Sequence, residues 1–207
     1  MSLDPASVWT PVALSADLPP ASVLPARLAS ASLAVWRAQG GAVLAVADRC
    51  PHRGMRLSHG FVRGEALSCI YHGWRYGKSG RCLAIPAHPG LEPPEAIRVA
   101  TYRTEERDGI IWVTESEDAG DAPAHDGFVG LRSVTIAGMP ETLALQFDGT
   151  IAGTAARLLT APSGEAGMTL VHLLVPATAT DPQKIAASRA LEALRRQTET
   201  ARSGDAA

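Results

Sequence analysis

The sequence predicts a mainly β chain in two parts, an antiparallel β domain followed by a smaller α+β domain built from antiparallel strands and one long carboxy-terminal helix. Three observations predict it. Short apolar runs bounded by glycine, proline or charge recur along the chain, helix patterning is nearly absent before residue 180, and one uninterrupted helix-forming stretch follows Asp181-Pro182.

In chain order, runs at 33–36 and 42–47 flank Gln39-Gly40-Gly41, the pattern of a hairpin with a glycine-bearing turn. Runs at 61–62, 66–70, 97–102 and 110–113 complete the first domain, placed at residues 1–114. Five acids (Glu115, Glu117, Asp118, Asp121, Asp126) among glycine, alanine and proline then mark a solvated connector at 115–130. Further runs at 131–137, 142–147, 151–160 and 168–175 read as an antiparallel meander, punctuated by Gly138-Met139-Pro140, Asp148-Gly149 and Pro162-Ser163-Gly164. Asp181 as N-cap and Pro182 at the first helical position predict a helix over 183–202. Its apolar stripe is Ile185, Ala187, Ala190, Leu191 and Leu194, and Arg195, Arg196 and Glu199 face water. The second domain is placed at 131–203.

Composition narrows the function. The 207 residues carry 19 basic and 21 acidic side chains, a net charge of −2, which leaves no positive excess for a phosphate backbone and disfavours nucleic-acid binding. With 46% hydrophobic residues the chain has enough apolar material for a sizeable core. No apolar run approaches the ~20 residues that cross a bilayer, and residues 1–11 lack the basic and apolar regions of a signal peptide, so the expectation is a cytoplasmic protein without membrane contact. Three cysteines, Cys50, Cys69 and Cys82, are too few for a disulfide framework.

Two of these cysteines sit beside histidines, in Cys50-Pro51-His52-Arg53-Gly54 and in Cys69-Ile70-Tyr71-His72-Gly73-Trp74. Each segment offers one thiolate and one imidazole on a loop, with a glycine that lets the backbone turn tightly. A structural zinc finger pairs its cysteines and then its histidines on a helix, whereas here each loop mixes both donors and no helix is predicted between them. The mixed set suits a two-iron cluster with both cysteines on one iron and both histidines on the other. Cys82, left over, reads as a small buried hydrophobe.

These two segments resemble the ligand loops of the Rieske family. A looser likeness, through Trp9-Thr10-Pro11-Val12, Trp36-Arg37, Ile85-Pro86-Ala87 and Gly109-Ile110-Ile111-Trp112-Val113, is to the amino-terminal domain of Rieske non-haem iron oxygenases. The resemblance implies a [2Fe–2S] cluster on Cys50, His52, Cys69 and His72. With two neutral imidazoles the oxidised cluster is uncharged, so an electron enters with less repulsion than at a four-thiolate centre. Respiratory Rieske proteins add a disulfide between the loops and a serine after the second-loop glycine; Met55, Tyr71 and Trp74 stand at those positions, which implies a potential at the low end of the Rieske range. Tyr76 remains to offer one hydrogen bond.

The resemblance further implies one-electron transfer as a component of an oxygenase system. A flavin reductase or ferredoxin would be the electron donor, an oxygenase subunit the partner, and an oligomer is compatible with the sequence. Arg53, Arg56, Arg63, Arg75, Lys78 and Arg81 form a basic set around the loops that reads either as solvated surface or as a docking patch for an acidic donor. His59 and His88 read as surface or loop histidines.

Family oxygenases hold a mononuclear iron with two histidines and a carboxylate, written as an acid followed at helical spacing by two histidines, and no such pattern occurs here. His125, Asp126 and His172 are the residues left to form one. Mononuclear Fe(II) is therefore not expected in this chain, and the second domain reads as a shortened helix-grip remnant. Two other readings are a compact complete mono- or dioxygenase with an atypical iron site, and a non-catalytic redox-sensing or assembly subunit.

Overall fold

The computed structural model describes residues 9–138 and 147–204. A six-stranded antiparallel sheet runs in the order β1-β10-β9-β4-β3-β2, from β1 (Thr10–Leu14), β2 (Ser22–Arg27), β3 (Ser32–Arg37), β4 (Val43–Ala47), β9 (Thr101–Arg107) and β10 (Ile110–Thr114). A four-stranded sheet of β5 (Phe61–Arg63), β6 (Ala66–Ser68), β7 (Arg75–Tyr76) and β8 (Cys82–Ala84) is inserted between β4 and β9.

Strand β3 shows why both faces of the large sheet are covered. Leu33 and Val35 join Val12, Ala45, Ile111 and Val113 in one core, while Ala34 and Trp36 join Val46, Leu57, Leu67 and Tyr76 in another beneath the small sheet. Strand β10 alternates likewise, since Ile111 and Val113 point into the first core and Ile110 and Trp112 into a third. A side chain every second residue on each face thus lets one sheet support two neighbours.

The second neighbour is a carboxy-terminal layer of β11 (Phe128–Ala137), β14 (Arg157–Pro162) and β15 (Met168–Pro176), covered by helix α1 (Asp181–Gly204). A short hairpin of β12 (Thr150–Ile151) and β13 (Thr154–Ala155) precedes β14. Ala187 and Leu191 of α1 are wholly buried against Val134, Ile136, Val171 and Leu173. On the opposite face Leu174 and Leu159 pack with Trp9, Leu14, Ile110 and Trp112. Among the described residues no helix is long and apolar enough to cross a membrane.

The mainly β architecture with one carboxy-terminal helix agrees with the sequence reading, and several details depart from it. The layer is not a meander among the described residues, because β15 lies at its centre between β11 and β14. The run at 151–160 breaks where Ala152 and Gly153 take positive φ and turn the chain. The strand expected at 97–102 lies instead at β9, whose alternating charges hid it, and the run at 66–70 ends at Ser68 because Cys69 and Ile70 already turn. The strand expected at 142–147 lies outside the described residues except for Phe147. The helix is capped by Thr180, not Asp181: Thr180 Oγ1 and N both donate to Gln183 Oε1, and Lys184 N donates to Thr180 O. Ile185 is 52% exposed and leaves the predicted stripe.

The acidic connector is strapped down. Arg103 donates to Ala119 O, Arg107 to Ala122 O at 2.9 Å, Ala122 N to Glu105 at 2.8 Å, and Trp9 Nε1 to Gly120 O at 2.9 Å. Its acids stay outside while Ala119 and Ala122 are buried.

Candidate metal centre

Two loops, one between β4 and β5 and one between β6 and β7, share one hydrogen-bond frame. In the first, Cys50 N donates to Met55 O and Gly54 N to Cys50 O, both at 2.8 Å; in the second, Cys69 N donates to Trp74 O and Gly73 N to Cys69 O, both at 2.9 Å. Gly54 and Gly73 therefore occupy equivalent corners, with φ of 74° and 69°, values an L side chain rarely adopts. The histidines are not equivalent, for His52 stands two residues after its cysteine and His72 three.

This frame brings the four expected ligands together in pairs. Cys50 and Cys69 are both buried and free, and their sulfurs are near enough to act on each other electrostatically. The His52 and His72 rings lie edge to face with centroids 4.7 Å apart. Burial foremost, then the neighbouring Cys50 sulfur, pushes the Cys69 thiol up, against the pull of the Tyr71 and His72 backbone amides. Desolvation, His72 and Arg53 lower His52, favouring the neutral ring, the form in which a histidine binds metal. No three His, Cys, Asp or Glu residues gather around a single point among the described residues. Two pairs of unlike donors are what a two-iron group needs, one pair per metal, so the residues present fit a [2Fe–2S] cluster.

Three supporting contacts hold the loops. The buried Tyr76 hydroxyl lies 3.0 Å from Cys50 Sγ. Burial raises the phenol far above its ordinary value, so it keeps its proton, and toward a thiolate it is necessarily the donor. The Ser58 amide and hydroxyl both donate to the Asp48 carboxylate at 2.7 Å, closing the first loop across ten residues. Trp74 stacks on His52 at 4.4 Å. Sequence reading anticipated Tyr76 and missed the other two, although Asp48, Ser58 and Trp74 all lie within a few residues of the ligand motifs.

Surroundings divide as charge and burial dictate. Cys82 is buried beside Tyr76 in the core under the loops. Lys78 and Arg81 pair with Glu65 and Glu92, and Arg63 lies over the Phe61 ring, which leaves exposed Arg53, Arg56 and Arg75 as the basic face near the loops. Ile70 and Tyr71, 57% and 53% exposed, add apolar surface beside His72. His59 and His88 are exposed.

The remaining histidines sit between the large sheet and the carboxy-terminal layer. His172 is fully buried, with Nδ1 2.8 Å from Ser133 Oγ and Nε2 3.0 Å from Pro11 O. His125 Nδ1 lies 3.0 Å from Arg157 Nη1. Both rings thus have their lone pairs engaged by protein donors, and Asp126 is exposed.

Comparison with known proteins agrees with this geometry. Residues 8–103 match the Rieske [2Fe-2S] domain family. Oxidoreductase NdmD of Pseudomonas putida is 43% identical over 114 residues, covering 55% of this chain and 19% of that protein. The 4beta-methylsterol monooxygenase of Methylococcus capsulatus is 37% identical over 113 residues, 54% of this chain and 31% of that one. The chain thus spans less than a third of the length of these relatives. By structure it is similar to NdmA of Pseudomonas putida CBB5 with caffeine, with a TM-score of 0.72 at 20% identity over 94% of this chain and 82% of that chain, a likeness of fold. The paired donors and these matches agree that residues 8–103 of this chain form a Rieske [2Fe–2S] domain.

Proposed function

We propose that the chain is a one-electron carrier of an oxygenase system, with Cys50 and Cys69 holding one iron and His52 and His72 the other. A bound [2Fe–2S] cluster supplies reversible uptake of a single electron. The protein's own part is to hold and tune. Tyr76 donates to the Cys50 sulfur, the Asp48–Ser58 clasp closes the first loop, and Trp74 shields one face of His52. His72, exposed beside Ile70 and Tyr71, gives a redox partner its approach.

The observation that carries this reading is the pairing of unlike donors on two loops of one frame. The electron donor is a flavin reductase or ferredoxin with an acidic face, which Arg53, Arg56 and Arg75 would steer. The acceptor is a mononuclear iron on an oxygenase partner, since the lone pairs of His125 and His172 are already engaged.

Iron analysis of the purified chain tests the assignment. About two irons per chain, reducible by NADH through a flavin reductase at a rate that falls with added salt, supports a carrier. About three irons would mean a self-contained oxygenase, and a rate indifferent to salt would remove the basic docking face.

A further inference from the structure

The two histidines at the joint between the large sheet and the carboxy-terminal layer answer protons differently. At His172 the Pro11 carbonyl can only accept, so Nε2 carries the hydrogen and Nδ1 accepts from Ser133. Adding a proton to Nδ1 reverses that bond, and the Ser133 hydroxyl is then free to donate to Asp17 Oδ2, 3.3 Å away. The Pro11 clasp survives either state.

His125 has no such relay. Arginine can only donate, so Nδ1 must be the acceptor, and the ring hydrogen sits on Nε2, a buried atom without a partner. The ring stacks over Trp112 of β10, with centroids 5.8 Å apart and planes inclined by 14°. Arg157 of β14 is held in place over the Phe128 ring, 4.2 Å from its centroid. Among the described residues the acid that acts on the ring is Asp108, whose carboxylate already accepts the His125 backbone N–H. A proton on Nδ1 would set N–H against N–H and cation against cation.

We propose that the His125–Arg157 contact is a proton-operated catch, which fastens the end of the connector while His125 is neutral and releases it when the ring is protonated. Strand β1 remains clasped to β15 through His172, so release frees the connector from Trp112 and leaves the layer attached. Burial and Arg157 hold His125 below its ordinary value and Asp108 opposes them, so the catch stays closed at neutral pH and opens only as pH falls below the ordinary histidine range.

Hydrogen exchange on the full, cluster-loaded chain at about pH 7.5 and about pH 5.5, corrected for intrinsic rates, reads the catch directly. Expected is a roughly tenfold loss of protection at pH 5.5 at the His125 and Phe128 amides, which donate to Asp108 and to the His125 carbonyl, with 168–176 and the visible cluster spectrum unchanged. His125→Gln keeps an acceptor for Arg157 without a titrating ring, and its connector should show equal protection at both pH values. Equal protection in the wild type, a response of 168–176 as large as that of the His125 and Phe128 amides, or a pH response surviving in His125→Gln would each overturn the proposal. Should that variant not fold, the His125 Cε1 proton resonance of the wild type replaces it: its titration midpoint must coincide with the midpoint of the exchange change, and separate midpoints overturn the catch.

Discussion

The indole of Trp74 lies flat on the imidazole of His52, with centroids 4.4 Å apart and planes inclined by only 5°. A residue of the second loop therefore fixes the ring plane of the histidine carried by the first. Stacking of this kind contributes about 0.5–1.5 kcal/mol beyond burial. In Trp74→Leu the cluster should still assemble, and its visible absorbance should bleach roughly two- to tenfold faster under a chelator. A bleaching rate equal to wild type would show that the stack does not restrain His52.

Tyr76 acts on the other donor pair. Its hydroxyl donates to Cys50 Sγ, and reduction adds negative charge to the centre, so this bond stabilises the reduced state more than the oxidised one. Removing it in Tyr76→Phe should lower the midpoint potential by roughly 40 mV, about 1 kcal/mol for one electron. Protein-film voltammetry measures this. An unchanged or higher potential would contradict the donor role.

Gly60 is constrained by space alone. Its φ of −78° suits any residue, yet an added Cβ would stand 2.2 Å from Ser68 O and 2.8 Å from Leu57 O. These are backbone atoms next to the two ligand loops, so they cannot rotate away. Gly60→Ala should cost about 3 kcal/mol or more and yield chain with little cluster, as absorbance per protein would report. Full loading with wild-type stability would mean the loops have slack.

Arg37 ties the large sheet together. It pairs with both Glu106 oxygens at 2.9 Å and also donates to Leu18 O and Gly41 O. Arg37→Met should destabilise by about 3 kcal/mol in urea unfolding at neutral pH. Hydrogen bonding to Arg37 first of all holds Glu106 below its ordinary value, against a desolvation that raises it. Its folded value is thus depressed, and the stability it contributes is present above about pH 4.5 and lost as pH falls further. The variant should lose that acid limb, so a difference between wild type and variant that does not shrink as pH falls would contradict the pairing.

The ligand loops were legible because each rests on local chemistry: a cysteine, a histidine and a glycine at the corner where φ must be positive. Hairpin β3–β4 was legible for a similar reason, with two apolar runs around Gly40-Gly41. What escaped depends on contacts remote in sequence. Strand β9 reads as charged because Arg103, Glu105 and Arg107 serve the connector, and β2 carries Pro25, tolerated because β2 is an edge strand. The central place of β15 could not be read either, since strand order follows from which edge β11 meets after a long excursion. The connector looked solvated because composition records its acids and not the two buried alanines.

The proposed carrier holds two irons on two unlike donor pairs, Cys50 with Cys69 and His52 with His72. Mössbauer spectroscopy of the oxidised, 57Fe-enriched chain tests it most directly, because each iron reports its own ligands. Two quadrupole doublets of equal area with distinct isomer shifts, one of which changes in His72→Cys, are the predicted result. A single doublet for both irons, or a protein that binds zinc and no iron when grown with ample iron and sulfide, would contradict it.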